Sequence, residues 1–344
     1  MSWPFRSGIL FNPEAGRNRR GGEKILSALK EAGLVRCVET PEETSAALTE
    51  LARAGANHLI VSAGDGTVQA CLTALFHKRP FGQIPPLSVL PGGTTNLIAG
   101  DVGPKGSQAR SVERLLKIIA CPCTGNLYRK KRAVIRLSAG SSADREGALV
   151  RYGMFMGTGA VARAVSFYQE RLHESGLWGG PGIALTILRY LWIELVLRRG
   201  SRRAGSHGRL SERTEIVLDG RKTIQGETLL ALITTLERLF AGIHPFWDGP
   251  GPSSAQGVTR PLKMTVVMRR PSRLLRSLPS LLAGKASSGL SQENGYLSLR
   301  FSQAEIHTDS ALALDGELIH DRYGRDGQGH YRVSYGGQVT FISW

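Results

Sequence analysis

The feature that most constrains the fold is a regular alternation of short apolar runs and amphipathic stretches in the N-terminal third of the chain. Strands that alternate with helices over short connections predict a parallel sheet with helices on both faces. The apolar runs predict strands at residues 8–11, 34–38, 58–62 and 87–90. The stretches with apolar residues at helical spacing predict helices at residues 23–32, 42–54, 68–77 and 111–119.

After residue 126 the pattern changes to strands separated by turns, with one helical insertion at residues 162–199. We therefore predict an α/β protein whose second half is antiparallel, most simply a sandwich. The expected domains are 1–125, 126–325 and a C-terminal segment, 326–344, that is free to return to the first domain. The predicted strands of the second half are 133–137, 149–156, 215–218, 229–234, 262–268, 296–301 and 304–307.

Three of the predicted N-terminal strands run into polar, glycine-rich loops at residues 12–17, 62–67 and 91–96. Ligands of parallel sheets bind at the carboxyl ends of the strands. A loop that opens a helix also presents unpaired N–H groups and a positive dipole end, which suit phosphate. Asp65 stands between two glycines, where its carboxylate can hold Mg²⁺ or accept a proton. The alternative is an Asp-Gly turn that only joins strand and helix.

Four short motifs, taken in order, resemble the catalytic domain of the diacylglycerol kinase and sphingosine kinase family. They are Asn12-Pro13-x-x-Gly16, Gly64-Asp65-Gly66-Thr67, Pro91-x-Gly93-Thr94-x-Asn96 and Leu314-Asp315-Gly316-Glu317. The Gly-Asp-Gly loop alone is shared with NAD kinases and phosphofructokinases, whereas the four in order are specific. The resemblance implies an N-terminal nucleotide-binding α/β domain and a C-terminal β-rich lipid-binding domain.

The resemblance also implies roles for individual residues. Asp65 would lie beside a Mg²⁺ ion that arrives with ATP, directly or through water. Asp315 and Glu317 would lie across the cleft, and one of them would deprotonate the lipid hydroxyl; the sequence leaves open which one. An ordinary β-turn is the alternative for these two residues. The residues expected to bind ATP are Asn12, Thr40, Gly64, Asp65, Gly66, Thr67, Thr94 and Asn96.

This chain departs from the family pattern in three places. Ala63 replaces a glycine, and Leu97 replaces an aspartate that many members have after the asparagine. Many bacterial members also hold a structural Mg²⁺ with an acidic stretch where this chain has residues 251–260, which contain no acid. Asp248 is the only carboxylate nearby, and one carboxylate is too few for a hard cation. We therefore predict that the structural metal site is absent.

The net charge of +16 indicates an anionic partner. Much of the excess lies in a basic loop at residues 198–213 and in residues 260–285. Residues 270–285 mix leucines with arginines at helical spacing, which suits either a membrane-surface helix or a solvated helix packed by its leucines. Trp178 and Trp192, at the apolar window 182–197, suit the same membrane interface. No nucleic-acid recognition motif is present, so nucleic acid is not the expected partner.

Together these patterns predict an ATP-dependent lipid kinase of phospholipid biosynthesis that converts diacylglycerol to phosphatidic acid. Ceramide or a sphingoid base is the alternative acceptor, and a non-catalytic lipid- or nucleotide-binding relative is the alternative class. An NAD kinase is a weaker rival, because the chain lacks the Asn-Glu dipeptide of that family. The start of the sequence does not read as a signal peptide and no window reads as a membrane span, so we expect a cytoplasmic protein, peripheral at the inner membrane face. A homodimer is compatible with the sequence.

Overall fold

The computed structural model describes residues 5–121, 125–140, 149–171, 212–239, 242–247, 260–309, 311–319 and 329–344. Some features singled out from the sequence lie outside these residues. They are the apolar window 182–197 with Trp178 and Trp192, most of the basic loop 198–213, and the stretch from Asp248 to residue 259 where the structural metal was expected to be absent. Predictions about these segments stay predictions.

The N-terminal part is a parallel sheet in the order β2-β1-β3-β4. Its strands are β1 (Ser7–Phe11), β2 (Leu34–Cys37), β3 (His58–Ala63) and β4 (Leu87–Pro91). Its helices are α1 (Gly22–Ala32), α2 (Pro41–Arg53), α3 (Asp65–Thr73, continued by a π-helical turn, Ala74–Lys78), α4 (Leu97–Val102) and α5 (Gln108–Ala120).

Helices cover both faces of this sheet, as the alternation predicts. Successive strand residues point to opposite faces, so Leu59 and Val61 pack in one core while Ile60 packs in another. The first core includes residues of α2, α3 and α4, and the second includes residues of α1 and α5. The carboxyl ends of the strands are therefore left as the open edge of this layer.

The C-terminal part is antiparallel, and its strands are hydrogen-bonded into the same sheet. The expected fold class, a parallel N-terminal sheet followed by antiparallel strands, is confirmed. The strands are β5 (Tyr128–Ala139), β6 (Leu149–Gly153), β7 (Phe155–Gly159), β8 (Glu212–Leu218), β9 (Lys222–Thr234), β10 (Leu262–Met268), β11 (Tyr296–Phe301), β12 (Gln303–Thr308), β13 (Leu312–Leu314), β14 (Glu317–Ile319) and β15 (Gly329–Ser343). The helices described here are α6 (Ala160–Arg171) and α7 (Leu274–Ala283).

The last strand, β15, joins the two halves of the sheet. It pairs antiparallel with β12 and β5, and it meets β4 in parallel where Phe341 lies opposite Leu87. The sequence patterns do not predict this strand, because Gly336-Gly337 resembles a turn. In the structure the glycines instead form a bulge that shifts the register between Tyr335 and Gly337. The domain boundaries stay a prediction.

The single strand expected at residues 149–156 is wrong, because the chain forms two strands that divide at Met154. The N–H groups of Met154 and Phe155 donate to the carboxylate of Asp315 instead of to a strand partner. The carbonyl of Met154 accepts from Thr235 and from the Thr234 hydroxyl. A side chain from elsewhere in the sequence thus breaks the strand.

Among the described residues, no helix is both long enough and apolar enough to cross a bilayer. Helix α7 contains Pro279 and packs through Leu274 and Leu281, while Arg273, Leu275 and Arg276 are exposed. Leu274 and Leu281 therefore pack on the β-rich part, and the arginines face outward.

A buried histidine ties three parallel strands together. His58 of β3 contacts the Ser7 hydroxyl of β1 at 3.1 Å and the Ser88 hydroxyl of β4 at 2.9 Å. Ser88 in turn donates to the carbonyl of Ile342 in β15. Burial lowers the pKa of His58 to about 4, so the ring is neutral in the folded protein at neutral pH.

We expect His58 to make the protein less stable in mild acid. The unfolded chain binds the proton near pH 6.5 and the folded chain only near pH 4. The contribution is therefore fully present above pH 6.5 and is lost as the pH falls toward 4, by about 3 kcal/mol in total. Urea unfolding at pH 7 and pH 5 tests this. The parent should lose about 2 kcal/mol more than His58→Gln between these pH values, and equal losses would contradict the assignment.

Candidate functional site

A cleft of about 730 Å³ opens at the carboxyl ends of β1, β3 and β4. Its walls come from the three glycine-rich loops, from the start of α2, and from β6 and β14 of the C-terminal part. The structure brings most of the residues singled out from the sequence to this one cleft. Those that line it are Asn12, Thr40, Gly64, Gly66, Thr67, Thr94 and Glu317. Asn96 and Asp315 are buried, and Asp65, which is partly exposed, is not among the lining residues.

Asn12 connects the first loop to the second. Its side-chain amide donates to the Thr67 hydroxyl at 2.9 Å. Its side-chain carbonyl accepts from the N–H groups of Glu14 and Ala15, which closes an Asx turn after β1. The Thr67 hydroxyl is thereby held at the start of α3, facing the cleft.

A buried polar network that the sequence analysis missed supports the same loops. Asn18 donates to the carbonyls of Asn12 and Ser62, at 2.7 and 2.9 Å. Gln108 of α5 donates to the Asn18 side chain and to the Ser62 hydroxyl. No local motif marks these residues, since each bonds partners far away in the sequence.

Thr40 caps the N-terminus of α2, where its hydroxyl accepts from the N–H of Glu43. It is exposed and lies at the outer rim of the cleft, next to Glu39 and Pro41. A cap hydroxyl at this rim is placed to contact a ligand that enters from outside.

Asp65 links the second loop to the third. Its two carboxylate oxygens accept from the N–H groups of Leu97 and Ile98, both at 2.9 Å, and so cap α4. Burial raises the pKa of Asp65, while these backbone hydrogen bonds oppose the rise. Each oxygen keeps a further lone pair for a water molecule or a metal.

Asn96 closes the third loop on itself. Its side chain accepts from the N–H of Gly93 and donates to the carbonyl of Gly93, at 2.8 and 2.7 Å. Its left-handed backbone, with φ of 52°, directs the chain into α4. The structure gives Asn96 a role in loop shape and does not bring it to the cleft.

Asp315 occupies a β-turn and also carries a buried carboxylate. Asp315 and Gly316 both have positive φ, as a two-residue hairpin turn between β13 and β14 requires. The carboxylate accepts from the N–H groups of Met154 and Phe155, and the residue is 3% exposed. Burial, with the nearby charge of Asp65, raises the pKa of Asp315 well above its usual value. The turn interpretation is therefore correct for the backbone, and a role in the reaction stays a prediction.

Glu317 reaches the cleft itself, from the first position of β14. It approaches Gly66 so closely that a methyl group there would lie 2.8 Å from its Oε1 atom. Partial burial raises the pKa of Glu317. Of the two acids in the fourth motif, Glu317 is the one that lines the cleft.

Several cleft residues carry no motif and were missed in the sequence. Arg151 of β6 is the one cation among the described residues that line the cleft, and Glu14 and Glu39 add two acids to Glu317. Leu149, Leu318 and Ile319 add apolar residues to the lining. Arg17, the last residue of the first loop, does not line the cleft; its backbone N–H donates to the carbonyl of Gly92.

The second and third loops meet backbone to backbone. A methyl group at Gly93 would lie 2.4 Å from the Cα of Gly64, so a side chain at Gly93 would force the loops apart. Glycine at this position is required by the close approach.

We expect Gly93→Ala to lower the free energy of unfolding by about 1–3 kcal/mol, the usual cost of overpacking. Gly82→Ala is the matched control, because no atom lies within 4 Å of the added methyl group. Chemical denaturation of both variants measures the difference. Equal stabilities would show that the loops separate without cost.

Comparison with known proteins agrees with this geometry. Residues 6–121 match the model of the diacylglycerol kinase catalytic domain. A solved structure of a presumed diacylglycerol kinase from Bacillus anthracis is similar over 99% of this chain and 98% of its own, with a TM-score of 0.60 and 19% identity. A structure of a diacylglycerol kinase from the same organism has a TM-score of 0.55 and 18% identity over 99% and 97% of the two chains.

These structural similarities show the fold alone, since the identities are low. None of the curated proteins compared with this sequence matches it. The matched residues include the first three motifs, and the fourth lies beyond them. The resemblance expected from the motifs is confirmed: residues 6–121 match the diacylglycerol kinase catalytic domain.

Proposed function

We propose that this kinase-family protein transfers the γ-phosphoryl group of ATP to the hydroxyl of a neutral lipid, most simply diacylglycerol, and forms phosphatidic acid. The observation that carries the proposal is the convergence of Asn12, Thr67 and Glu317, from three distant motifs, on one cleft. Ceramide or a sphingoid base remains the alternative acceptor.

The proposed ATP site uses backbone more than side-chain charge. The first N–H groups of α3 have no partner within the helix and face the cleft from the Gly64–Thr67 loop. The hydroxyls of Thr67 and Thr94 add donors, and Arg151 adds one positive charge. Thr40, at the rim, would contact the part of the nucleotide farthest from the phosphates.

The residues present fit a Mg²⁺ ion that arrives with the nucleotide. Among the described residues no cluster of three or more metal-ligating side chains exists, so the protein alone offers no metal cage. The part of the cleft lining that the structure describes has three carboxylates and one arginine, so a polyphosphate needs a cation there. Asp65 would hold the ion through water, and when bound, Mg²⁺ neutralises charge on the phosphates.

Glu317 is the proposed general base, because it touches the cleft at Gly66. Its raised pKa suits this role, since a base works best when its pKa approaches the working pH. Asp315 is a positioning residue in this proposal. Its carboxylate fixes the Met154 corner, and its turn places Glu317 on the first residue of β14.

An apolar acceptor suits the surface around Glu317. Leu149, Leu318 and Ile319 line the same cleft as this carboxylate, and Leu318 and Ile319 follow it directly in β14. With NAD as the acceptor, ribose hydroxyls and phosphates would approach these apolar side chains. This supports a lipid acceptor over NAD.

The proposed reaction is tested by incubating the purified protein with labelled ATP and a panel of acceptors in mixed micelles. The panel holds diacylglycerol, ceramide, a sphingoid base and, separately, NAD. Label in diacylglycerol is expected. ATP binding without label in any acceptor would favour a non-catalytic relative.

In the same assay we expect Glu317→Gln to lower kcat by about 10²–10⁴ because the amide cannot accept the proton. The KM for ATP should change little. The parent should lose activity as the pH falls through the raised pKa of Glu317, since protonation removes the base. Asp315→Asn is the comparison: it should mainly lower stability, by about 1–3 kcal/mol. Full activity in Glu317→Gln, or an inactive but stable Asp315→Asn, would reverse the assignment.

The proposed place of action is the cytoplasmic face of a membrane that contains the lipid. Helix α7 supports this, because Arg273 and Arg276 are exposed on either side of Leu275. Whether two chains associate as a homodimer stays a prediction.

We expect activity on vesicles to rise with the fraction of anionic lipid and to fall with salt. Arg273→Gln with Arg276→Gln should weaken vesicle binding by about thirtyfold, since each of the two cations near such a surface contributes about 1 kcal/mol. The control removes two exposed charges from the N-terminal part, through Lys30→Gln with Arg53→Gln. Equal binding of both double variants would remove α7 from the proposal.

A further inference from the structure

A second and larger cavity, of about 1160 Å³, lies between α4, α5 and the start of β5. None of the residues that line it also lines the cleft. Its wall continues to the end of β15, where the Trp344 indole donates to the carbonyl of Ser111. The cavity is therefore separate from the site described above.

Positive charge dominates this cavity. Its acids, Asp101 and Glu237, both contact the buried guanidinium of Arg132, at 2.9 and 3.0 Å. The buried Arg132 therefore compensates part of the negative charge of these two acids. The cations that line the cavity are Lys105, Arg114, Lys117, Lys130 and Arg238.

Several of these cations are held in place by neutral groups. Arg114 donates to the carbonyl of Lys105, and Lys130 donates to the carbonyl of Asp101 at 2.6 Å. Lys117 is the exception, since it pairs with Glu113 along α5. The side chains of Lys105 and Arg238 are exposed to the cavity. Fixed cations around a concave site favour an anion with several acceptor oxygens.

We propose that this cavity binds a phosphate-bearing ligand. Phosphate offers oxygens in several directions to cations that come from α5, β5 and two loops. The cavity is much larger than inorganic phosphate, so the bound molecule carries a further group beside Ile118, Tyr128 and Trp344.

Helix α4 connects this cavity to the cleft. Asp65 holds its first N–H groups, and Asp101, near its end, is held by Arg132 and by the N–H of Glu237. Lys130, in the cavity, donates to the carbonyl of the same Asp101. A ligand that binds Lys130 and breaks its hydrogen bond to Asp101 would therefore perturb α4, the helix that Asp65 caps. This step, unlike the binding itself, rests on the proposed function.

Calorimetry with the full chain, saturated with a non-hydrolysable ATP analogue, tests the binding. The probes are inorganic phosphate, glycerol 3-phosphate and dihexanoyl phosphatidic acid, with dihexanoylglycerol as the phosphate-free control. At least one phosphate-bearing probe should bind with Kd below about 1 mM. Binding of the lipid probe alone identifies a lipid headgroup, and binding of the soluble phosphates as well identifies a free phosphate ester.

Lys105→Gln with Arg238→Gln should weaken this binding by about tenfold and make it less dependent on salt. Arg221→Gln with Lys222→Gln, at the β8–β9 turn, removes the same two charges elsewhere and should bind as the parent does. No binding by any phosphate probe, or equal binding by both double variants, would overturn the site. A saturating probe should also change kcat in the parent but not in the cavity variant. A protein without kinase activity would leave the binding result intact.

Discussion

The hydrogen bonds from Leu97 and Ile98 to the Asp65 carboxylate fix the two central loops of the cleft relative to each other. They satisfy N–H groups at the start of α4, and they hold the carboxylate at the head of α3. The contact between Gly64 and Gly93 brings the same loops together without side chains. The cleft floor therefore consists largely of backbone with fixed positions, so a phosphate finds donors that need little reorganisation on binding.

The sequence predicts elements best where the signal is local. The strands β10 and β11 match their predicted residues, because continuous apolar or alternating runs end at turns. Helix α4 was missed because its cap is Asp65, 32 residues earlier in the chain. The division between β6 and β7 was missed for the same reason, since Asp315 lies 160 residues from Phe155. Elements that depend on a distant side chain leave no periodic signal.

The residues of the candidate site also differ in whether a local sequence signal predicts them. The glycine-rich loops could be located from the sequence, because close backbone approach restricts the residue type. Arg151 could not, because it is one residue of a half-exposed strand and nothing nearby marks it. Asn18 and Gln108 are ordinary polar residues until the fold places both against Ser62. Asp315 forms the expected turn, but its contact with Met154 and Phe155 could not be predicted, because these residues are distant in the sequence.

The positive charge of the protein is unevenly distributed between the cleft and other surfaces. Among the described residues, the cleft proposed for the most highly charged ligand has three carboxylates and a single arginine, although the chain as a whole has a charge of +16. Side-chain cations are instead exposed on α7 and around the second cavity. In the proposed reaction the phosphorylated product must leave the cleft. Backbone donors and a cation that arrives with the nucleotide bind this product less tightly than a cluster of arginines would. Cations placed away from the cleft can attract an anionic surface or ligand without slowing product release.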